Sequence, residues 1–107
     1  KYCYAFQQYD AACSLCRTAI EAAIRDICVR RQLFPDLGEN VVLFEHFKWH
    51  QLRNKVSSGP LRERLGCLYF ELCNVLHARK TVGNDEARRA FEETLQVIEQ
   101  LYIANEL

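Results

Sequence analysis

The stretch ACSLCRTAIEAAIRDI, residues 12–27, decides the fold class of this chain. Its apolar side chains recur three or four positions apart, which is the spacing of one face of an α-helix. Alanine, which is abundant over residues 11–23, also favours helix. We therefore predict a long first helix over residues 4–33, which the Pro and Gly of residues 34–38 end. The apolar face of this helix comprises Cys13, Cys16, Ile20, Ala23, Ile24 and Ile27.

The remaining sequence predicts three more helices. The second covers residues 40–55, where strand remains an alternative. The third follows the turn SSGP at residues 57–60 and runs over residues 61–76 or 61–77, with its Pro at the first helical turn. The fourth begins at Asn84, which is a good N-cap residue because its side chain can accept a hydrogen bond from the first turn.

The third and fourth helices each carry an apolar face at helical spacing. In the third helix this face comprises Leu61, Leu65, Leu68, Leu72 and Val75. In the fourth it comprises Ala87, Ala90, Phe91, Leu95 or Thr94, Ile98, Leu101 and Tyr102. Four helices with short connections pack as an antiparallel bundle. The predicted fold class is all-α, a single four-helix domain over residues 1–107 with up-down topology.

Composition supports this fold class and excludes several others. The chain has 107 residues, 50% of them apolar, which is enough for one globular core. Apolar runs such as Val41–Phe44 are far shorter than the roughly 20 residues of a membrane span, so we expect no membrane partner. Fourteen basic residues balance fourteen acidic ones, so net charge gives no global attraction to nucleic acid. Because the sequence begins with Lys1 rather than Met, we expect a fragment of a longer protein.

The charges are nevertheless unevenly distributed along the chain. Residues 48–64 hold five basic side chains and one acidic one, whereas residues 92–107 hold acidic side chains and no basic one. A basic segment of this kind is suited to phosphate groups, and Trp49 and His50 within it offer surfaces for base stacking. The alternative is an ordinary solvated face with ion pairs. The predicted nucleic-acid contacts are Arg53, Lys55, Arg62, Arg79 and Lys80.

The six cysteines are predicted to be buried thiols rather than metal ligands. A structural zinc ion needs four ligands, and the alternative is that they come from Cys13, Cys16, Cys73 and His77. His46 and His50 share a helix face, but the metalloprotease motif would require Glu after the first His. We therefore expect no metal and no cofactor. A thiol-rich helical core without a secretory signal indicates a reducing compartment, which we take to be the cytoplasm.

The third helix has a second face that is also partly apolar. Gly66, Phe70 and Cys73 lie on the side opposite the leucines, and Asn74 and His77 lie beside them at helical spacing. A helix that is apolar on both sides is expected to be buried on both sides. We therefore predict that Gly66, Phe70 and Cys73 form the interface of a homodimer, with Gly66 giving clearance for the facing helix. The alternative for His77 is a C-terminal histidine that satisfies helix carbonyls.

Three segments of the sequence resemble the HEPN superfamily, and within it the uncharacterised prokaryotic branch. They are the first-helix stretch ACSLCRTAIEAA at residues 12–23, ELCNVLHA at residues 71–78 and ARRAFEETL at residues 87–95. The first contains an Arg-x-x-x-Glu pair, Arg17 and Glu21. The resemblance implies an α-helical bundle, frequent dimerisation and, in many members, metal-independent RNA cleavage.

The resemblance also implies catalytic residues. HEPN ribonucleases use an Arg followed by four to six residues and a His, and His77 matches that His while Asn74 matches a polar residue often found between. The positions that would hold the Arg are occupied by Phe70, Glu71 and Leu72, so the motif cation is missing. Such chemistry needs His for proton transfer and a cation for the phosphate, and Arg79 or Arg62 at the helix ends is the candidate substitute for the motif Arg. Arg17 and Glu21 are predicted to line the same cleft, and a surface ion pair is their alternative.

Two functions are compatible with these sequence features. The first is a HEPN-like module that binds RNA or a nucleotide, whose enzymatic form is a ribonuclease in stress or anti-phage defence. Its expected partners are a second copy of the chain, RNA, and a cognate antitoxin or fused effector domain. The alternative is a non-catalytic α-helical dimerisation or adaptor domain of a larger protein.

Overall fold

The described residues form a bundle of four α-helices. The computed structural model describes the backbone of residues 2–34, 48–77 and 84–107, and the side chains of residues 11–34, 48–73 and 87–107. The helices are α1 (Tyr2–Arg30), α2 (Trp49–Val56), α3 (Gly59–His77) and α4 (Asn84–Ala104). The predicted all-α four-helix class is therefore confirmed. The predicted up-down order is not shown, because α1, α2 and α4 all end at the same end of the bundle, where Asn105 bonds to Arg31 and to the Val56 carbonyl.

One core joins all four helices. Helix α1 packs against α3 and α4, and the short α2 packs against α1 and α3. The apolar face predicted for α1 is buried in full, which confirms it. Burying each Ile contributes roughly 1.5–3 kcal/mol, so the three isoleucines of this face make a large contribution to stability. The core comprises Cys13, Cys16, Ile20, Ile24, Ile27, Cys28, Leu52, Val56, Leu65, Leu68, Leu72, Val97 and Leu101.

The C-terminal ends of α1 and α4 lie together. The Tyr102 hydroxyl donates to Asp26 Oδ2 at 2.6 Å, and further along both helices the Arg31 guanidinium donates to Asn105 Oδ1. The Asn105 amide donates in turn to the Val56 carbonyl at the end of α2, at 2.9 Å. Three helix C-termini therefore meet at one end of the bundle, which we call the Asn105 end.

Helices α1 and α4 end in the same backbone motif. The N–H of Leu33 donates to the Cys28 carbonyl at 3.0 Å, and the intervening Gln32 has a φ of 52°. The N–H of Leu107 donates to the Tyr102 carbonyl at 2.9 Å, with Glu106 at a φ of 59°. Bonds of this span across a left-handed residue define the Schellman motif, a common way to satisfy the last helix carbonyls. Neither helix uses the Gly usually found at that position.

The second helix begins later than predicted. Residues 40–47 lie outside the described residues, but Lys48 is extended, with φ −72° and ψ 153°, so no helix continues through it. The backbone N–H of Lys48 donates to Gln51 Oε1 at 2.9 Å, which is the hydrogen bond that starts α2 at Trp49. The prediction of one uninterrupted helix over residues 40–55 is therefore wrong.

The buried face of α4 also differs from the predicted one, because of the two alternatives Leu95 and Thr94 the structure buries Thr94. Leu95 is 54% exposed and Phe91 is 52% exposed, whereas Thr94 and Val97 are buried. Thr94 tolerates burial because its hydroxyl donates to the Ala90 carbonyl at 2.7 Å. Thr94 lies at helical spacing from the buried Val97 and Leu101, and this phase of α4 places Thr94 rather than Leu95 in the core. No helix in the described ranges is long and apolar enough to cross a membrane.

Candidate functional site

The two predicted cleft residues of α1 form a polar cluster with α3. Arg17 Nε lies 3.2 Å from Glu21 Oε1, one helical turn away. The same carboxylate oxygen accepts a hydrogen bond from the Tyr69 hydroxyl at 2.6 Å. The Arg17 guanidinium carbon lies 5.8 Å from the centre of the Tyr69 ring, within cation–π range. We call these three residues the Arg17–Glu21–Tyr69 cluster.

An aromatic pair borders this cluster. The rings of Trp49 and Tyr69 stack with their centres 3.6 Å apart and their planes 10° from parallel. Both rings are half-buried and pack against the core. The stack joins α2 to α3, just as the Glu21 hydrogen bond joins α1 to α3. Tyr69 thus holds three helices together through one side chain.

The charges within the Arg17–Glu21–Tyr69 cluster balance one another. Burial raises the pKa of Tyr69 to about 12, and the hydrogen bond to Glu21 adds to the shift. The hydrogen bond to Glu21 also raises the pKa of Arg17 above its usual value. Tyr69 is therefore a protonated donor at neutral pH, and the charge of Arg17 is balanced by a carboxylate. A balanced arginine is a weak phosphate ligand, so this cluster is better suited to holding helices than to binding an anion.

The predicted catalytic pair lies further along α3. Asn74 and His77 both lie within α3, and His77 lies one helical turn after Cys73. The side chains of both predicted catalytic residues lie outside the described residues. Arg79 and Lys80, predicted to contact nucleic acid, also lie outside them. The catalytic assignment remains a prediction.

The predicted dimer face of α3 is only partly open. Phe70 is 66% exposed, and Cys73 is half-buried. Gly66 is covered from within the chain, because a Cβ added there would lie 2.6 Å from the Arg53 guanidinium nitrogen Nη1. The clearance that was predicted to admit a second subunit is thus occupied by the chain's own Arg53.

Arg53 is separated from the other predicted phosphate contacts. Its guanidinium lies over Gly66, and its Nε is buried with no hydrogen-bond partner among the described residues. Lys55 follows two residues later, about 200° around α2, and is exposed on another side of the bundle. The basic segment at residues 48–64 is therefore not one surface.

Arg64, a further member of that segment, pairs with α4. Its Nε lies 3.3 Å from Glu93 Oε1, and its other nitrogens donate to Gln96 at 2.8 Å and Gln100 at 3.2 Å. For this residue the alternative of an ordinary ion-paired face holds. The acidic character of α4 partly neutralises the basic segment.

Lys55 and Arg62 line a groove at the Asn105 end of the bundle. The groove encloses about 330 Å³ and contains a third cation, Arg31, which was not among the predicted contacts. None of the described residues that line it is acidic. We call it the basic groove, and its wall is completed by Asn54, Val56, Ser57, Ser58, Leu61, Ala104 and Asn105.

The two arginines of the basic groove are held in place by hydrogen bonds. Nε and Nη2 of Arg62 both donate to the Ser57 carbonyl at 3.2 Å. Arg31 donates to the oxygen of Asn105, whose amide is buried. Lys55 lies in the last turn of α2 and is exposed to solvent. The groove therefore presents two anchored guanidinium groups and one exposed ammonium group.

The cysteines are more varied than predicted. Cys13, Cys16 and Cys28 are buried, but Cys67 is exposed and Cys73 is half-buried, so the prediction of uniformly buried thiols is wrong for Cys67. Cys67 lies off the leucine face of α3, which leaves it in water. Burial raises the pKa of the Cys28 thiol to about 11, which keeps it protonated. Among the described residues, no three His, Cys, Asp or Glu side chains are grouped so that they could hold a metal ion.

Comparison with protein-family models, with curated proteins and with solved structures finds no match for this chain. The resemblance to the HEPN superfamily therefore rests on the three sequence segments at residues 12–23, 71–78 and 87–95.

Proposed function

We propose that this chain is a HEPN-like helical module that binds RNA through the basic groove. The observation that carries the proposal is the convergence of three cationic side chains on one groove, with no carboxylate among its described lining residues. Contacts between Lys or Arg and phosphates supply most of the affinity of nucleic-acid binding. The groove attracts RNA through its local positive charge, although the net charge of the whole chain is zero.

The hydrogen bonds at the groove favour this role. An arginine has five N–H donors, so Arg62 and Arg31 retain donors after binding the Ser57 carbonyl and the Asn105 oxygen. Because those bonds already fix the two guanidinium groups, less side-chain entropy is lost when a phosphate binds. The exposed Lys55 adds a positive charge at the same groove.

A binding experiment tests the proposal. The affinity of the chain for a single-stranded RNA of 12 nucleotides is measured by fluorescence anisotropy at several salt concentrations. Lys55→Glu should weaken binding about tenfold or more and reduce the salt slope, since one phosphate contact accounts for a slope of about one. Arg89→Glu is the matched control, because Arg89 is exposed on α4, roughly 24 Å of helix away from Asn105. Equal effects of the two substitutions, or binding that does not respond to salt, would overturn the proposal.

RNA cleavage is a separate activity with its own test. It rests on His77 and Asn74, with Arg79 or Arg62 as the candidate cation. We would incubate the chain with labelled RNA in the presence of a chelator, beside a His77→Ala variant. Cleavage that His77→Ala abolishes would support the ribonuclease. Its absence, with RNA binding retained, would leave a binding module.

The exposure of Phe70 supports a second candidate function, dimerisation. Phe70 is 66% exposed, and aromatic residues are enriched at protein–protein interfaces. Phe70→Arg should give a folded monomer, measured by light scattering during gel filtration and by circular dichroism. Phe91→Arg is a control of the same chemistry on α4, where Phe91 is exposed to a similar degree. A wild-type monomer, or dimers that survive Phe70→Arg, would exclude this interface.

A further inference from the structure

The basic groove is larger than an ion site. Its volume of about 330 Å³ lies at the lower end of the range of small-molecule pockets, roughly 300–1,000 Å³. A phosphate ion alone would leave most of that volume to water. One nucleotide, with its sugar and base, is a better match in size.

The charge of the groove favours a terminal phosphate. A phosphate monoester carries about −1.5 to −2 charges at neutral pH and has three terminal oxygens. A phosphodiester within an RNA strand carries a single charge. Arg31, Lys55 and Arg62 together supply three cations to one groove, without a carboxylate among its described lining residues. This excess of positive charge in the groove is better matched by a doubly charged phosphate monoester than by a singly charged diester.

The three cations come from three helix ends. Arg31 lies just past α1, Lys55 in the last turn of α2, and Arg62 near the start of α3. Although each belongs to a different helix end, all three line the same groove. Asn54 and Ser58, which line the same groove, add neutral hydrogen-bonding groups suited to a sugar or a base.

We propose that the basic groove binds a phosphate monoester of nucleotide size, carried either by the end of an RNA strand or by a free nucleotide. This inference rests on the proposed function, because it takes RNA or a nucleotide as the ligand of the groove. It adds that the groove recognises a terminal phosphate. A strand with a terminal phosphate would then bind the groove more tightly than the same strand with hydroxyl groups at both ends.

The test compares four ligands in one anisotropy assay. An eight-nucleotide RNA is used with a 5′-phosphate, with a 3′-phosphate and with hydroxyl groups at both ends, and AMP is added as a competitor. We expect one of the phosphorylated strands to bind about tenfold more tightly than the hydroxyl strand, and AMP to displace it. Lys55→Gln should remove most of this preference, whereas Arg89→Gln should keep it. Because Lys55 is exposed, the variant should fold, and a thermal melt confirms this.

The outcomes separate this inference from the proposed function. If all three strands bind equally and Lys55→Gln weakens them equally, RNA binding stands and recognition of a terminal phosphate is wrong. If AMP binds in a Lys55-dependent way and no RNA does, the monoester site stands with a free nucleotide as its ligand, and RNA binding is wrong. If neither AMP nor RNA binds, both are wrong. Arg62→Lys gives a further check, because it keeps the charge but loses the planar donor pair, and it should reduce the preference only in part.

Discussion

Replacing Asn105 with Ala should destabilise the bundle strongly, because this one amide joins three helix ends. Asn105 is only 7% exposed. Its nitrogen donates to the Val56 carbonyl at 2.9 Å and to the Leu101 carbonyl at 2.7 Å, and its oxygen accepts from Arg31. The first and third of these bonds connect α4 to the ends of α2 and α1.

The expected loss follows from these three hydrogen bonds. A neutral hydrogen bond contributes about 1 kcal/mol net, and the charged bond from the exposed Arg31 is given the same value because of solvent screening. The free energy of unfolding should therefore fall by about 3 kcal/mol for Asn105→Ala. For a chain of 107 residues this corresponds to a decrease in Tm of roughly 10–20 °C.

The assay is urea and thermal denaturation followed by circular dichroism. Glu99→Ala is the control, since Glu99 is exposed on the same helix and should change stability by less than about 0.5 kcal/mol. Asn105→Asp keeps an acceptor for Arg31 but replaces the donor with an oxygen that faces two carbonyls, so it should be at least as destabilising at neutral pH. A loss of less than about 0.5 kcal/mol for Asn105→Ala would refute the view that this amide holds the helix ends together.

Three further predictions test other parts of the structure. Tyr69→Phe removes the donor to Glu21 and should cost about 1–2 kcal/mol. In the wild type, unfolding should become easier from about pH 10 to about pH 12, because the pKa of Tyr69 is raised to about 12 in the folded state and the unfolded chain ionises first. In urea titrations of Tyr69→Phe this slope should be smaller but not zero, because the pKa values of Cys28 and Tyr102 are also raised in the folded state. Gln32→Gly should be more stable than Gln32→Val by roughly 1 kcal/mol or more, and should therefore melt at a higher temperature. The reason is that a φ of 52° is favourable for Gly and unfavourable for a β-branched residue. Gly66→Ala should displace the flexible Arg53 side chain, and the free energy of unfolding should stay unchanged or rise by up to about 1 kcal/mol. If the free energy of unfolding instead falls by more than about 1 kcal/mol, Arg53 cannot move aside.

The fold could be predicted because its main signal is local. The spacing of Ile20, Ile24 and Ile27 places them on one helix face, and no distant residue is needed to infer their burial. The prediction failed in two places. Lys48 is extended, and its backbone N–H donates the hydrogen bond that starts α2, a local geometry that apolar spacing does not encode. Thr94 is buried because it shares a helix face with Val97 and Leu101, and a search for apolar residues alone misses a threonine on that face.

The basic groove could be predicted only in part, since charge that is contiguous in sequence is not contiguous in space. Arg53 and Lys55 lie two positions apart, yet a helix turns about 200° between such positions, which alone argues against a shared surface. Lys55 and Arg62 meet because a tight turn joins α2 to α3, and that turn was visible in the sequence. Arg31 is different, because its partner Asn105 lies 74 residues away and α1 and α4 must first dock before the two can meet. A cation near a helix end is therefore a better candidate for such a groove than a cation within a basic run, since ends from distant parts of the chain converge in a bundle.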